Sequence, residues 1–197
     1  MKIAVSPSVI LMGLIILISG NATQALIPVI AALVHELGHI FFAHLFNVRI
    51  ERIELNLFGA LIKISPLTCS YKKEAILAAA GPLFNIISAV SAFPFLHSAD
   101  GSPKKEIILF ILSSFLFAFI NLLPAESFDG GRILNCFLLS FASPETASKI
   151  MEWLSLSCIF FLWSISVYFI LRTGSYLSLF IFSGSLFSKI YLLHARK

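Results

Sequence analysis

The segment His35-Glu36-Leu37-Gly38-His39 brings two imidazoles and a carboxylate into one short stretch of chain. Residues four apart lie one turn apart on the same face of a helix, so His35 and His39 could bind one metal ion together. Glu36 would then be placed to accept a proton from a water molecule on that ion. Zinc suits this chemistry because it lowers the pKa of its bound water to about 7.

The sequence around this motif is apolar, which adds weight to the metal interpretation. Placing one ionisable side chain in the middle of a membrane costs about 2.5–3.5 kcal/mol on insertion scales. Three such groups within five residues therefore need a compensating partner, and a metal ion supplies one. The structural alternative is that the three side chains are hydrogen-bonded to neighbouring helices.

A catalytic zinc site needs a third protein ligand and one open position. No further histidine fits well. The position six residues after His39 is Leu45, and His44 lies well round the helix from the motif. His97 and His194 fall near the ends of apolar segments, where histidines are usually interfacial. The third ligand is therefore expected to be a carboxylate.

Two carboxylates remain as candidates, Glu126 and Asp129, in the segment that follows a later apolar stretch. Pro124 should end that helix, and Gly130-Gly131 permits unusual backbone in which a carboxylate turns back toward a metal. Such irregular backbone is tolerated at membrane depth only when protein or water surrounds it. Asp129 is the preferred ligand. Its alternative role is the ordinary turn residue of an Asp-Gly pair.

A third polar position lies in the segment Ala79-Ala80-Gly81-Pro82-Leu83-Phe84-Asn85. The small residues permit close packing of helices. Asn85 is a polar group deep in an apolar helix, and two roles stay open for it. It could form a hydrogen bond between helices, or it could hold substrate backbone or stabilise the oxyanion.

The composition indicates a membrane protein. Hydrophobic residues make up 58% of the 197 residues and charged residues only 12%, whereas soluble domains are about half apolar and a quarter charged. The charge pattern does not resemble a nucleic-acid surface, so no nucleic-acid partner is expected. We predict one membrane-embedded domain over residues 1–197, with a catalytic core at about 24–134 and accessory helices at about 6–20 and 147–194.

The predicted fold class is an all-α polytopic membrane protein with about six transmembrane helices. A spanning helix needs about 20 mostly apolar residues. The alternation of polar and apolar residues over 52–57, with Gly59 as a turn and a β-branched continuation over 61–64, predicts a short membrane-associated β-hairpin after the second span. The candidate spans are about residues 6–20, 24–46, 73–96, 105–124, 147–171 and 175–194.

The basic residues indicate the orientation of these spans. Cytoplasmic loops carry an excess of Lys and Arg. With the N-terminus inside, only Lys104, Lys105 and Arg172 of the 14 basic residues fall outside. Both termini are therefore expected in the cytoplasm, and the second and fourth spans both run from outside to inside.

Together, HELGH at 35–39, AAGPLFN at 79–85 and NLLPAESFDGGRIL at 121–134 resemble the motifs of the site-2 protease family, the M50-type intramembrane zinc metalloproteases. Their order on three successive spans is also similar, and the likeness covers about residues 5–195. It is greatest to the branch that includes the stage IV sporulation protein FB. Members of that branch have a span before the catalytic one.

The resemblance implies a role for each matching residue. His35, His39 and Asp129 would ligate one Zn²⁺ per chain, and Glu36 would be the catalytic base. Asn85 and Asn121 match the polar positions of the other two motifs and would contact substrate or oxyanion.

The resemblance also implies partners and a location. The substrate would be a membrane-associated protein cleaved within or near the lipid bilayer, in the cytoplasmic membrane of a bacterium. A homo-oligomer or a regulatory membrane partner is compatible with the sequence.

Two other functions compete with the peptidase. A catalytically silent member of the family could bind membrane helices as a chaperone or regulator, although such a protein would be expected to have lost a ligand or the base. A metal transporter is the third reading, since ionisable residues in membranes mark ion pathways. The polar residues in this sequence cluster at one depth and do not line a continuous path across the bilayer, which disfavours a transport function.

Overall fold

The computed structural model describes residues 2–5, 22–48, 50–56, 59–64, 70–173 and 184. By contact clustering the chain divides into two compact units, Met1–Leu122 and Leu123–Lys197. The elements within the described residues are β1 Lys2–Val5, α1 Ala22–Leu45, β2 Ile50–Asn56, β3 Gly59–Ile64, α2 Tyr71–Ala92, α3 Phe95–Ser98, α4 Ser102–Asn121, α5 Asp129–Leu138 and α6 Pro144–Thr173.

Serine side chains cap the first turns of two of the long helices. Ser70 precedes α2, and its side chain accepts a hydrogen bond from the backbone N–H of Lys73. Ser143 does the same for Thr146 at the start of α6, where Pro144 is the first helical residue. Both arrangements satisfy N–H groups that a helix leaves without partners. The sequence pattern Ser143-Pro144 predicts this helix start, and the structure confirms it.

The helical part of the first unit is packed through its smallest residues. Helices α1, α2 and α4 pack against one another. A Cβ added to Gly38 of α1 would lie 2.6 Å from the carbonyl oxygen of Ala80 in α2, so the two backbones approach closely there. Such contacts are typical of helices in membranes. The fully or nearly buried alanines of these helices are Ala31, Ala43, Ala78, Ala80, Ala89 and Ala118. Large exposed side chains include Leu33, Leu37, Phe41, Ile87, Val90 and Phe119.

The strands of the first unit form one sheet in the order β1-β2-β3. Strand β1 runs parallel to β2, and β2 runs antiparallel to β3, with Asn56 opposite Gly59. Gly59, predicted in the turn, is instead the first residue of β3. Strand β1 was not predicted. Residues 57 and 58 lie outside the described residues, and the membrane-associated hairpin stays a prediction.

The second unit contains α5 and α6. Leu138 near the end of α5 packs with Ala147 and Met151 of α6. Helix α5 begins at Asp129, so Gly130 and Gly131 lie in a regular first turn rather than in the unusual backbone predicted for them. The irregular stretch is the preceding one, residues 122–128.

Among the described residues, three helical segments are long and apolar enough to cross a membrane, Thr23–Leu45, Tyr71–Ser98 and Pro144–Arg172. They correspond to the spans predicted at 24–46, 73–96 and 147–171, although a turn at residues 93–94 separates α2 from the short α3. Helix α4 covers most of the span predicted at 105–124 and carries Lys104, Lys105 and Glu106 near its start. The predicted spans 6–20 and 175–194 lie outside the described residues. The chain is thus a helical membrane protein, and the count of six spans stays a prediction.

Candidate metal centre

His35 and His39 form a buried pair on one face of α1. Their exposed fractions are 5% and 7%, and their rings meet edge to face with centroids 4.8 Å apart. The two Nε2 atoms lie 3.2 Å from each other. The spacing of four residues predicts a shared face, and the structure has the two rings on it.

The outer nitrogen of each ring faces a polar group of α2. His39 Nδ1 lies 2.8 Å from the carbonyl oxygen of Leu77. A carbonyl oxygen only accepts hydrogen bonds, so His39 Nδ1 carries the proton and donates it. Because a neutral imidazole has one N–H, the lone pair of His39 is on Nε2. His35 Nδ1 faces Asn85 Nδ2 at 3.4 Å.

Gly81 of α2 lies directly against the point where the two Nε2 atoms meet. A Cβ added to this residue would be 2.7 Å from His35 Nε2 and would also contact His39 Nε2. Only glycine leaves this space open. Sequence reasoning attributed the small residues over 79–85 to helix packing and missed this role for Gly81.

The pair fits a small cation such as Zn²⁺. Two imidazole nitrogens bound to one Zn²⁺ at about 2.0–2.1 Å in tetrahedral geometry lie roughly 3.3 Å apart. The observed separation of 3.2 Å is close to that spacing. The donor set is also suitable, because neutral imidazole is a common zinc ligand and the Nδ1 hydrogen bond of His39 directs its lone pair to Nε2.

Glu36 lies between the two histidines in sequence and is half-buried on α1. Its Oε2 atom is shielded from solvent. A carboxylate next to both histidines in the chain is a side chain of the type that transfers protons in general acid–base catalysis.

Asp129 is the first residue of α5 in the second unit, and it is 7% exposed. Its Oδ1 atom lies 3.5 Å from Arg132 Nη1, one turn along the same helix. A carboxylate at a helix N-terminus is stabilised by the helix dipole. Glu126, the other carboxylate candidate, has an exposed side chain. A buried acidic group fits a metal ligand better than an exposed one. The difference in exposure between the two side chains therefore favours Asp129 over Glu126.

Backbone contacts hold the segment that leads to Asp129. Ser155 of α6, 1% exposed, accepts a hydrogen bond from the backbone N–H of Glu126 at 3.0 Å. A Cβ added to Gly131 would clash with the carbonyl group of Ala125, so α5 packs closely against the segment before it. Sequence reasoning treated α6 as accessory and did not identify Ser155. No pattern in the sequence links residues 29 positions apart.

Substituting Ser155 by Ala should loosen this segment. The change removes the acceptor of the Glu126 N–H, and a partly buried hydrogen bond of this kind contributes about 0.5–1.5 kcal/mol. We expect a lower Tm and weaker zinc binding, measured by thermal unfolding in detergent and by competition with a chelator. Ser157→Ala, at an exposed position of α6, is the matched control and should change neither quantity. Equal effects of both variants would show that the Ser155 hydrogen bond is unimportant.

The remaining polar residues singled out from the sequence have other surroundings where the structure describes them. Asn121 ends α4, and its Nδ2 donates to the carbonyl oxygen of Phe117 in the same helix at 2.9 Å. His44 and His97 are exposed. His194 lies outside the described residues. The structure therefore joins His35, His39, Gly81 and Asn85 in the first unit, while Asp129 belongs to the second.

Comparison with known proteins gives matches in sequence and in fold. Residues 23–106 match the model of peptidase family M50. Stage IV sporulation protein FB of Bacillus subtilis is 32% identical over 144 residues, which are 71% of this chain and 48% of that protein. Zinc metalloprotease MJ0392 of Methanocaldococcus jannaschii is 29% identical over 163 residues, 79% of this chain and 46% of that protein. The chain thus spans about half the length of these relatives.

A solved structure is also similar. The site-2 protease from Methanocaldococcus jannaschii superposes with a TM-score of 0.68, covering 96% of this chain and 89% of that one at 21% identity. At this identity the likeness concerns the fold. The residues matched to the family model include HELGH and AAGPLFN, which contain the histidine pair, Glu36, Gly81 and Asn85. Residues 23–106 of this chain are therefore similar to peptidase family M50, and the chain has the fold of the site-2 protease from Methanocaldococcus jannaschii.

Proposed function

We propose that this chain is an intramembrane zinc metalloprotease that hydrolyses peptide bonds of membrane-associated proteins within or near the bilayer. The observation that carries the proposal is the buried histidine pair, whose Nε2 atoms lie 3.2 Å apart in a space kept open by Gly81. The family-model match over the same residues supports it.

One zinc ion per chain would be held by His35, His39 and Asp129. These are buried side chains of the types that hold a metal ion. Two histidines and one carboxylate form a ligand set that leaves a fourth position open, as in catalytic zinc sites. Arg132, paired with Asp129, would limit the mobility of that carboxylate.

When bound, zinc supplies a Lewis acid that polarises the scissile carbonyl and makes water acidic enough to attack near neutral pH. Glu36 accepts the proton of the attacking water and delivers it to the leaving amine. Leu77 holds the His39 ring through its carbonyl oxygen, so that the lone pair on Nε2 is available to the metal. Helices packed through alanine and glycine exclude bulk water from these groups.

The membrane setting completes the proposal. The apolar segments and the distribution of basic residues support six spans with both termini in the cytoplasm. The likeness to stage IV sporulation protein FB supports a location in the cytoplasmic membrane of a bacterium. The catalytic domain would include residues of both compact units, 24–134 at least. The short sheet would lie at the membrane surface beside α1. A substrate must be unwound before cleavage, because a helix shields its own peptide bonds.

Metal analysis of two carboxylate variants tests the ligand set. Asp129→Ala should reduce bound zinc from about one per chain to a small fraction, because a site with two histidines alone binds weakly. Glu126→Ala should retain the wild-type content, since that side chain is exposed. Zinc is measured in purified protein by elemental analysis, beside cleavage of quenched fluorescent casein and of single-span membrane reporters.

The opposite pattern, with zinc lost in Glu126→Ala and kept in Asp129→Ala, would make Glu126 the ligand. Wild-type protein that neither binds zinc nor cleaves any reporter would contradict the proposed function. It would favour the silent helix-binding relative.

A further inference from the structure

Asn85 is a wholly buried amide beside the metal centre, with an exposed fraction of 0%. Its Nδ2 lies 3.4 Å from His35 Nδ1. Its Oδ1 is buried and has no hydrogen-bond partner among the described residues. A buried carbonyl oxygen without a hydrogen-bond donor is energetically unfavourable. The Oδ1 end of the amide therefore lacks a partner within the described part of the chain, while the Nδ2 end faces a ring nitrogen of His35.

The proton on His35 determines which end of the amide should face it. The argument rests on the proposed function, in which His35 Nε2 binds the metal through its lone pair. A neutral imidazole then carries its only proton on Nδ1, which must donate a hydrogen bond. The Nδ2 group of Asn85 is also a donor and cannot accept that proton.

A half-turn of the Asn85 amide exchanges its two ends and resolves both conflicts. It places Oδ1 opposite His35 Nδ1, so that the buried oxygen accepts the Nδ1 proton and gains a hydrogen-bond partner. We propose that Asn85 is a positioning residue for the metal site, which accepts the Nδ1 proton of His35 through Oδ1 and so directs Nε2 to the metal.

In this proposal, one face of α2 carries three residues that position the histidine pair. Leu77, Gly81 and Asn85 follow one another at intervals of four residues, so they share one face of the helix. The Leu77 carbonyl fixes His39, Gly81 leaves room between the rings, and the Asn85 carbonyl fixes His35. Hydrogen bonds of this kind orient metal-bound histidines and raise their basicity.

The competing role for Asn85 is donation of a hydrogen bond from Nδ2, either to substrate or to His35. Aspartate separates the two roles because it accepts hydrogen bonds and cannot donate them when ionised. If Asn85 acts as an acceptor, Asn85→Asp preserves its function at the metal, whereas Asn85→Leu, of similar size, removes it. If Asn85 acts as a donor, both variants lose the function.

The experiment measures zinc affinity of the purified full chain in detergent, by competition with a chromophoric chelator. Asn85→Leu should weaken the Kd for zinc by about 10- to 100-fold, the usual loss when the partner of a metal-bound histidine is removed. Asn85→Asp should stay within about threefold of wild type or bind more tightly. Ser91→Ala, at an exposed position of α2, is the control and should match wild type.

An Asn85→Asp variant weakened by more than about threefold, or an Asn85→Leu variant weakened by less than about tenfold, would overturn this inference. If Asn85→Leu does not fold, Asn85→Asp decides alone. Failure of the proposed function is a separate result, because it would appear as wild-type protein that binds no zinc.

Discussion

Replacing Glu36 by Gln is expected to abolish peptide-bond cleavage while zinc content stays at the wild-type level. The amide has nearly the shape of the carboxylate but cannot accept a proton, so the ligands stay in place and the base is lost. Removing a general base typically lowers the rate by about 10²- to 10⁴-fold. Cleavage of quenched casein and of membrane reporters is measured beside zinc content on the same preparation.

The matched control for this variant is Glu126→Gln, which makes the same chemical change at an exposed position. It should cleave at the wild-type rate. Undiminished cleavage by Glu36→Gln would exclude Glu36 as the base. Loss of zinc from Glu36→Gln would show that this carboxylate acts in metal binding instead.

Substituting Gly81 by Ala is expected to have the second large effect, on zinc affinity itself. The added methyl group would occupy the space beside both Nε2 atoms, so the rings must move apart. Overpacking of this kind costs about 1–3 kcal/mol, which corresponds to a Kd weakened roughly 5- to 150-fold. Zinc affinity is measured by competition with a chelator, and cleavage should fall in parallel at limiting zinc.

Helix propensity separates an effect on zinc binding from a loss of helix stability in the Gly81→Ala variant. Alanine favours helix over glycine by about 1 kcal/mol, so the change should not weaken α2 itself. Thermal unfolding in excess chelator reports on the fold without metal and is expected to differ little from wild type. Ser91→Ala again serves as control. A Gly81→Ala variant that binds zinc as tightly as wild type would show that the space beside the two rings is not needed.

The sequence predicted well what depends on local spacing. The four-residue interval in HELGH placed His35 and His39 on one face of α1, and the rings do meet there. Ser143-Pro144 predicted the start of α6, and long apolar runs predicted three helices able to cross a membrane. Helix periodicity, capping and hydropathy are properties of neighbouring residues, so they can be inferred without a fold.

The sequence predicted poorly what depends on packing between distant residues. The acceptor for His39 is a backbone carbonyl, that of Leu77, and a backbone group has no signature in the side-chain sequence. The hydrogen bond from Glu126 to Ser155 joins residues far apart in the chain. Gly130-Gly131 suggested irregular backbone, yet both residues are helical, since glycine permits unusual conformations without requiring them. The ligand role of Asp129 stays a prediction.

The close approach of α1 and α2 at Gly38 and Ala80 limits which substitutions this part of the protein can accept. Bulky leucines and phenylalanines on the lipid side can exchange freely with other apolar residues, because fluid acyl chains adapt to any shape. A single carbon added to Gly38 would force α1 away from α2. Substitutions at the smallest residues of this contact are therefore expected to disturb the histidine pair more than exchanges among the large apolar residues on the outer faces.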